Sequence, residues 1–506
     1  AAEQEKPAID EATIEAIRVD VEKWINTNTR LSDDDKSSPR KALGSLLEAI
    51  RDKKIGFDST TIQKDIKSIF TAIAENTPGF VSGSIYFSLN QLFITANKDT
   101  TGTYKSLVDI KLLTTIAEQA RENSRVAYSE LRNLCDAAQG DDTGTYRELI
   151  NIKLLTTIAE KSGMVINAAY GALNYLCAAT KGDDTGTYER LVNIELLTTI
   201  AEKTGGGSCN AYIALDDLCA AVKKGNIAGA TIDTLKILFI EIAQKTGRNN
   251  EYALIALRCL CYAIKNGDIA GATIDNLKIL FIEIAEKVEK AGLSSGAAYY
   301  ALNSLCYAVT KCNIADATID NLRILFIGIA EKAGLSSGVA YNALRNICEA
   351  AYGDDTGTYR ELIDIKLLTT IAEKAGHCSV DAYNALRSLC DAAKEGNITG
   401  VTIDKVQTLF ITIAEKEEKI RYAAYEALNS LCAAATADTT GIYKKLVDIT
   451  VLTTIAEKAG TPSAIAYNVL EKLCQHVAKA KGGIKLNSEF VKSNVLASFC
   501  VFSVSP

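Results

Sequence analysis

The chain has 506 residues, 48% hydrophobic and 23% charged. Those fractions fit a globular protein and exclude a disordered or collagen-like one. The net charge of −7, from 55 basic and 62 acidic residues, supplies none of the global cationic excess that nucleic-acid binding draws on. The rarities say more: 5 Pro, 2 His, 1 Met and 1 Trp stand against 21 Tyr and 14 Cys. Such a skew is expected when one short segment is copied many times. No apolar stretch reaches the roughly 18–20 residues that span a bilayer. The longest, at 495–504, is interrupted by Ser498 and Ser503.

The chain starts Ala-Ala-Glu-Gln and its only Met is Met164. A processed secretory N-terminus and simple loss of the initiator fit this start equally well. Secreted, cell-surface and cytoplasmic locations therefore all stay open. Residues 10–26, around Trp24, are expected to form a first helix with a polar character, and residues 38–53 its partner. Together, 1–53 read as an N-terminal capping repeat.

From there, cysteine spacing exposes the organisation. Cys135, Cys177, Cys219, Cys261, Cys306, Cys348, Cys390, Cys432 and Cys474 are 42 residues apart, except for one interval of 45. The extra three residues fall at Lys-Val-Glu-Lys-Ala-Gly (287–292), where other repeats read Glu-Lys-Ala-Gly. Two earlier segments keep the surroundings but place Phe93 and Leu47 at the Cys position. The count is then eleven repeats, ten of them within 54–480.

Each repeat carries two helical patterns. The first reads like residues 145–161, with Leu149, Ile152, Leu155, Ile158 and Ala159 in one stripe. Thr145 and Glu148, like Thr358 and Glu361, match a capping box at its start. Gly shortly after Lys, as at Gly376, is the expected stop, and a following Ser or Asn is suited to cap the next helix. The second pattern is Ala-Tyr-x-Ala-Leu-x-x-Leu-Cys-x-Ala-Ala, as at 382–393. It spaces its apolar residues as one face of an amphipathic helix.

Two kinds of linker join the repeats. One reads Gly-Asp-Asp-Thr-Gly-Thr-Tyr (140–146, 182–188, 353–359), with relatives at 98–104 and 437–443. The other reads Asn-Ile-Ala-Gly-Ala-Thr-Ile-Asp (226–233), with relatives at 268–275, 313–320 and 397–404. Both preserve length, so both are expected to give the same fold with different surface residues.

A 42-residue helical pair cannot bury its apolar faces alone, whereas stacked copies share a continuous core. The expected fold is all-α, a right-handed α-solenoid of about eleven two-helix repeats. The period excludes tetratricopeptide and ankyrin repeats. The segment Ile-Arg-Tyr-Ala-Ala-Tyr-Glu-Ala-Leu-Asn-Ser-Leu (420–431) resembles the second helix of a HEAT repeat, which typically reads Val-Arg-x-x-Ala-x-x-Ala-Leu-x-x-Leu. The resemblance covers the whole chain as architecture. Most repeats lack the Val-Arg pair, and the Pro usual in HEAT first helices is missing, so no binding residue is carried over. The end differs: 481–506 reads as half a repeat followed by an apolar tail. Phe490, Val491, Val495, Leu496, Phe499, Val501 and Phe502 are its candidate assembly surface.

Four recurring features suggest chemistry. The nine periodic cysteines sit inside the apolar stripe and are expected to pack as small hydrophobes, being too far apart across repeats for disulfides or a shared zinc. The Asp-Asp-Thr loops lack the alternating ligands and final Glu of a calcium loop; helix capping is the expected role. The tyrosine column (Tyr86, Tyr128, Tyr170, Tyr212, Tyr299, Tyr341, Tyr383, Tyr425, Tyr467) is expected between helices, each hydroxyl reaching a polar edge. The Glu of Ile-Ala-Glu-Lys, from Glu75 to Glu457, is expected to be an exposed row. With His377 and His476 far apart and no phosphate loop or nucleophile motif, no catalytic, cofactor or metal residues are assigned.

The function expected is structural or protein-interaction, without catalysis. A repetitive surface suits self-assembly, head-to-tail with other copies, as in a filament, sheath or surface layer. The alternative is a monomeric scaffold holding a protein partner in its groove. An enzyme, the remote alternative, would need a unique constellation that near-uniform repeats seldom supply. Neither nucleic acid nor a membrane span is expected.

Overall fold

The structure is a computed structural model, and it describes residues 9–31, 36–77, 79–290, 294–458 and 463–479. The described residues divide into two compact bodies, those up to 225 with 229–258, and 226–228 with those from 259 onward.

The first body holds α1 (Glu11–Thr27), α2 (Ser37–Arg51), α3 (Ile62–Asn76), α4 (Gly79–Lys98), α5 (Thr103–Leu107), α6 (Ile110–Ala120), α7 (Ser124–Gln139), α8 (Thr145–Leu149), α9 (Ile152–Ser162), α10 (Ile166–Lys181), α11 (Thr187–Leu191), α12 (Ile194–Thr204), α13 (Ser208–Lys223) and α14 (Ile232–Thr246). The bodies divide within α15 (Asn250–Asn266). The second body continues with α16 (Ile274–Lys290), α17 (Gly296–Cys312), α18 (Ile319–Ala333), α19 (Ser337–Tyr352), α20 (Thr358–Leu362), α21 (Ile365–Ala375), α22 (Ser379–Lys394), α23 (Ile403–Ala414), α24 (Glu418–Thr436), α25 (Ile442–Leu446), α26 (Ile449–Lys458) and α27 (Ser463–Lys479).

The fold is all-α, and within each body consecutive helical pairs pack in chain order. In the first body α3, α6, α9, α12 and α14 form one layer, and α2, α4, α7, α10 and α13 the other. In the second, α16, α18, α21, α23 and α26 lie against α17, α19, α22, α24 and α27. The core runs between the layers. On α22, Ala382, Tyr383, Leu386, Leu389 and Cys390 are all fully buried, and each Leu there contributes roughly 1.5–3 kcal/mol.

The first helical pattern differs from expectation in five repeats. The stretch 145–161 is two helices, α8 and α9, parted at Ile150, whose backbone is extended. Asn151 then caps α9, its side chain accepting the Leu154 N–H at 2.8 Å. Asp109, Asn193, Asp364 and Asp448 do the same for α6, α12, α21 and α26. These repeats have three helices, the first only five residues long. The capping box expected at Thr145 and Glu148 is absent, and so is that at Thr358 and Glu361. Gly144 and Gly357 are the N-caps, in left-handed conformation (φ 86° and 80°). Asp141 instead organises the loop, accepting Thr143 N–H and Oγ–H through one oxygen and Tyr146 N–H through the other. A capping box does form at Thr231 and Thr234.

The two linkers therefore do not give the same local fold. The Asn-Ile-Ala-Gly linkers run extended and pair in parallel with the following repeat. β1 (Ile227–Ala228) pairs with β2 (Ala272–Thr273). Single bridges join Ala270 to Thr318, Ala315 to Asp364 and Thr399 to Asp448, and Gly56 to Asp109 near the N-terminus. The forward partner is a segment at the start of a first helix, whichever linker kind precedes it. Asn397 shows why Asn leads this linker. Its buried amide donates to the carbonyls of Ala435 and Asp438, closing the end of α24.

Gly stops follow the first helices as expected: Gly163, Gly205, Gly247, Gly334 and Gly376 have φ of 49–56° with ψ near −125°. Arg121 occupies the same conformation (φ 52°, ψ −123°) without being Gly. The Ser residues after these stops do not cap. Ser124, Ser208, Ser337 and Ser379 are buried first residues of the second helices, whose N-caps make no side-chain hydrogen bond. The three-residue departure lengthens α16 to 17 residues, against 15 in α14 and α18.

Candidate interaction surfaces

The periodic cysteines are core. All nine are buried, and burial raises each thiol for which a shift is resolved, which keeps it protonated and unreactive. No cysteine among the described residues is in a disulfide. Among these residues, no group of three or more His, Cys, Asp or Glu is placed to hold a metal.

The tyrosine column is also core, but the hydroxyls do not reach a polar edge. All nine donate to a buried carbonyl of the preceding first helix: Tyr128 to Leu113, Tyr170 to Leu155 and Tyr383 to Leu368, at 2.8–3.0 Å. Where that helix carries Phe, the rings stack, as in Phe281–Tyr299 at 5.6 Å and Phe326–Tyr341 at 5.6 Å. Burial pushes these phenols far above their ordinary range, so they stay neutral donors. A second set clamps the short helices. Tyr104 donates to Asp136 at 2.6 Å, Tyr188 to Asp216 at 2.8 Å and Tyr359 to Asp391 at 2.7 Å.

The Glu row, from Glu75 to Glu457, is exposed as expected. Some members bridge repeats: Glu331 pairs with Lys287, and Glu415 with Lys374 at 3.6 Å. The Asp-Asp-Thr loops are tied down from within. Lys181 reaches Asp141 at 3.2 Å, Lys223 reaches Asp183 at 2.9 Å and Lys394 reaches Asp354 at 3.4 Å. Burial alone would raise Asp141. The Thr143 hydroxyl, the Tyr146 N–H and Lys181 outweigh it and bring the carboxyl down to about 2.

The candidate assembly residues Phe490, Val491, Val495, Leu496, Phe499, Val501 and Phe502 lie outside the described residues. One stretch of the described chain, 319–352, is apolar and long enough to pass for a membrane span. It is two helices, α18 and α19, joined through a 3₁₀ turn at Gly334–Ser336 and packed into the layers, so it makes no clear span.

Sequence reasoning missed the surfaces that break the repeat. Over α7, α10 and α13, an open groove of about 530 Å³ is lined by Gly171, Ala168, Ala172, Tyr175 and Ile213, with Glu130 and Asp216 at its rim. Over α17 and α19, Tyr300, Tyr307 and Tyr352 are exposed at 38%, 43% and 52%. The Arg345 guanidinium lies 5.4 Å from the Tyr300 ring, Lys311 lies 6.0 Å from that of Tyr352, and Tyr307 meets Tyr352 edge-on at 6.1 Å. The available signal was departure from consensus: Gly171 where other repeats have side chains, and Tyr307 where most others have Asp, Glu, Ala or Gln and only Tyr262 matches it. A third groove, between α16, α18 and α21, is lined by Arg323, paired to Glu283 at 2.6 Å, and by Lys287 with Glu331.

Compared with known protein families and with curated proteins, the chain matches none.

Proposed function

We propose that the chain is a non-enzymatic structural solenoid, a right-handed array of about eleven HEAT-like helical repeats whose repetitive surface serves self-assembly. One observation carries this reading: certain exposed positions recur from repeat to repeat, as the buried columns do. The Glu row is exposed in repeat after repeat, and the Asp-Thr loops keep one internal geometry. Such a surface suits a partner with the same period, and another copy is the simplest one. An array end meeting the start of another copy is a heterologous contact, which yields rings or open filaments.

A second reading, a monomeric scaffold for a different protein, is favoured by the tyrosine–cation cluster on α17 and α19. Exposed Tyr and Arg are what binding hot spots are made of. Light scattering of the full chain over a concentration series separates the two. Self-assembly gives a mass that grows with concentration. A monodisperse monomer throughout rules it out and leaves the scaffold.

A further inference from the structure

The two surfaces that break the repeat are chemically opposite. Gly171 stands mid-helix on α10, at a half-buried position where other second helices carry Phe87, Ser129, Ile213, Tyr300 or Asn342. Gly weakens a helix interior. Packing within the chain does not demand it here, because an added Cβ would meet nothing closer than the Glu130 carboxylate at 3.8 Å. What Gly171 does is leave the groove open. The lining is mostly apolar, with Asn167 its neutral polar member, Tyr175 is 79% exposed, and the charged lining residues, Glu130 and Asp216, are both acidic.

The surface on α17 and α19, the ridge, is instead a row of exposed rings with cations beside them. Tyr300 and Tyr307 lie two turns apart on one helix, Arg345 and Tyr352 two turns apart on the next. Arg345 also pairs with Glu349 at 2.6 Å, but a guanidinium has five donors and serves a second carboxylate as well.

We propose that these are the two halves of one contact between copies: the tyrosine–cation ridge of one molecule seats in the Gly171 groove of the next. The rings cover the apolar floor, while Arg345 and Lys311 face Glu130 and Asp216. Two arguments select a second copy as the occupant. The charges are complementary, and both surfaces lie on adjacent second helices of one repeating fold. The separation of α17 from α19 therefore matches that of α10 from α13, on the order of one helix-packing distance, about 8–10 Å. The contact is heterologous, because groove and ridge are different patches, so every copy keeps one of each to offer. This proposal rests on the self-assembly reading.

The experiment uses two full-length variants and light scattering. Gly171→Leu fills the groove and leaves the ridge; Leu is a better helix former than Gly, so α10 stays intact. Tyr300→Ser with Tyr307→Ser removes the ridge and leaves the groove. Circular dichroism melts confirm that both fold. Each variant alone is expected to be monomeric where the wild type assembles. Mixed in equal amounts, they should form a one-to-one dimer and stop, since only one working groove and one working ridge remain. As a second check, Glu130→Arg should lose assembly, and Arg345→Glu in the same chain should restore it. If either groove or ridge variant assembles like the wild type, another surface joins the copies; self-assembly then stands and this contact falls. A mixture that stays monomeric also overturns it. If the wild type itself is monomeric, the self-assembly reading fails and this proposal with it.

Discussion

At the residue scale, the repeat works as an experiment with its own controls. Five first helices end in Gly at φ of 49–56°, and one ends in Arg121 at φ 52°. A side chain in that region is strained by about 1–3 kcal/mol, partly offset by the freer unfolded chain that Gly brings. Arg121→Gly should therefore stabilise the protein by about 1 kcal/mol, read from denaturant unfolding. Unchanged or lower stability would show that the backbone relaxes around Arg121. The cysteine and tyrosine columns were legible as core because burial follows apolar periodicity. The tyrosine hydroxyl's target was not, since a carbonyl 15 residues back enters no side-chain pattern.

At the element scale, the sequence hid the break in the first helix. The apolar stripe runs through Leu149, Ile152 and Leu155 without changing period, so nothing in it marks Ile150. The signal lay elsewhere. A β-branched residue followed by Asp or Asn stands at every break: Val108-Asp109, Ile150-Asn151, Val192-Asn193, Ile363-Asp364 and Val447-Asp448. β-branched residues favour extended backbone, and Asp or Asn favours an N-cap. The linkers were misread for a related reason: Ile-Ala-Gly-Ala is too short to show strand alternation, yet it pairs across repeats. The amides of Ala270, Ile319, Ile365 and Ile449 all donate across such a junction. Hydrogen exchange should therefore be slower at these amides than at linker amides facing Asp side chains, such as Thr143 and Thr185. Equal exchange in both sets would mean that the bridges do not hold the repeats together.

At the scale of the whole molecule, repetition adds small terms. Asp99, Asp141, Asp183, Asp354 and Asp438 all have lowered carboxyls. Burial opposes this in each, and hydrogen bonds from the neighbouring Thr and Tyr outweigh it. A group lowered in the fold stabilises it above its unfolded value, about 3.9, and loses that contribution as pH falls through the folded value. Burial raises Asp364 and Asp381, which act in the opposite sense. The five exceed the two, so the melting temperature should fall from about pH 5 toward pH 2, and Asp141→Asn should flatten the slope. A melting temperature that rises over this range would contradict the loop geometry. The groove and ridge escaped the sequence because a surface is defined by what its neighbours lack. Gly171 matters only beside Ile213 and Tyr175, and those two lie on different helices.

The central claim is that repetition serves assembly. Electron microscopy of the native particle tests it most directly. The account predicts regular two-layer helical arrays joined copy to copy into filaments or rings. Isolated single arrays at every concentration would contradict it.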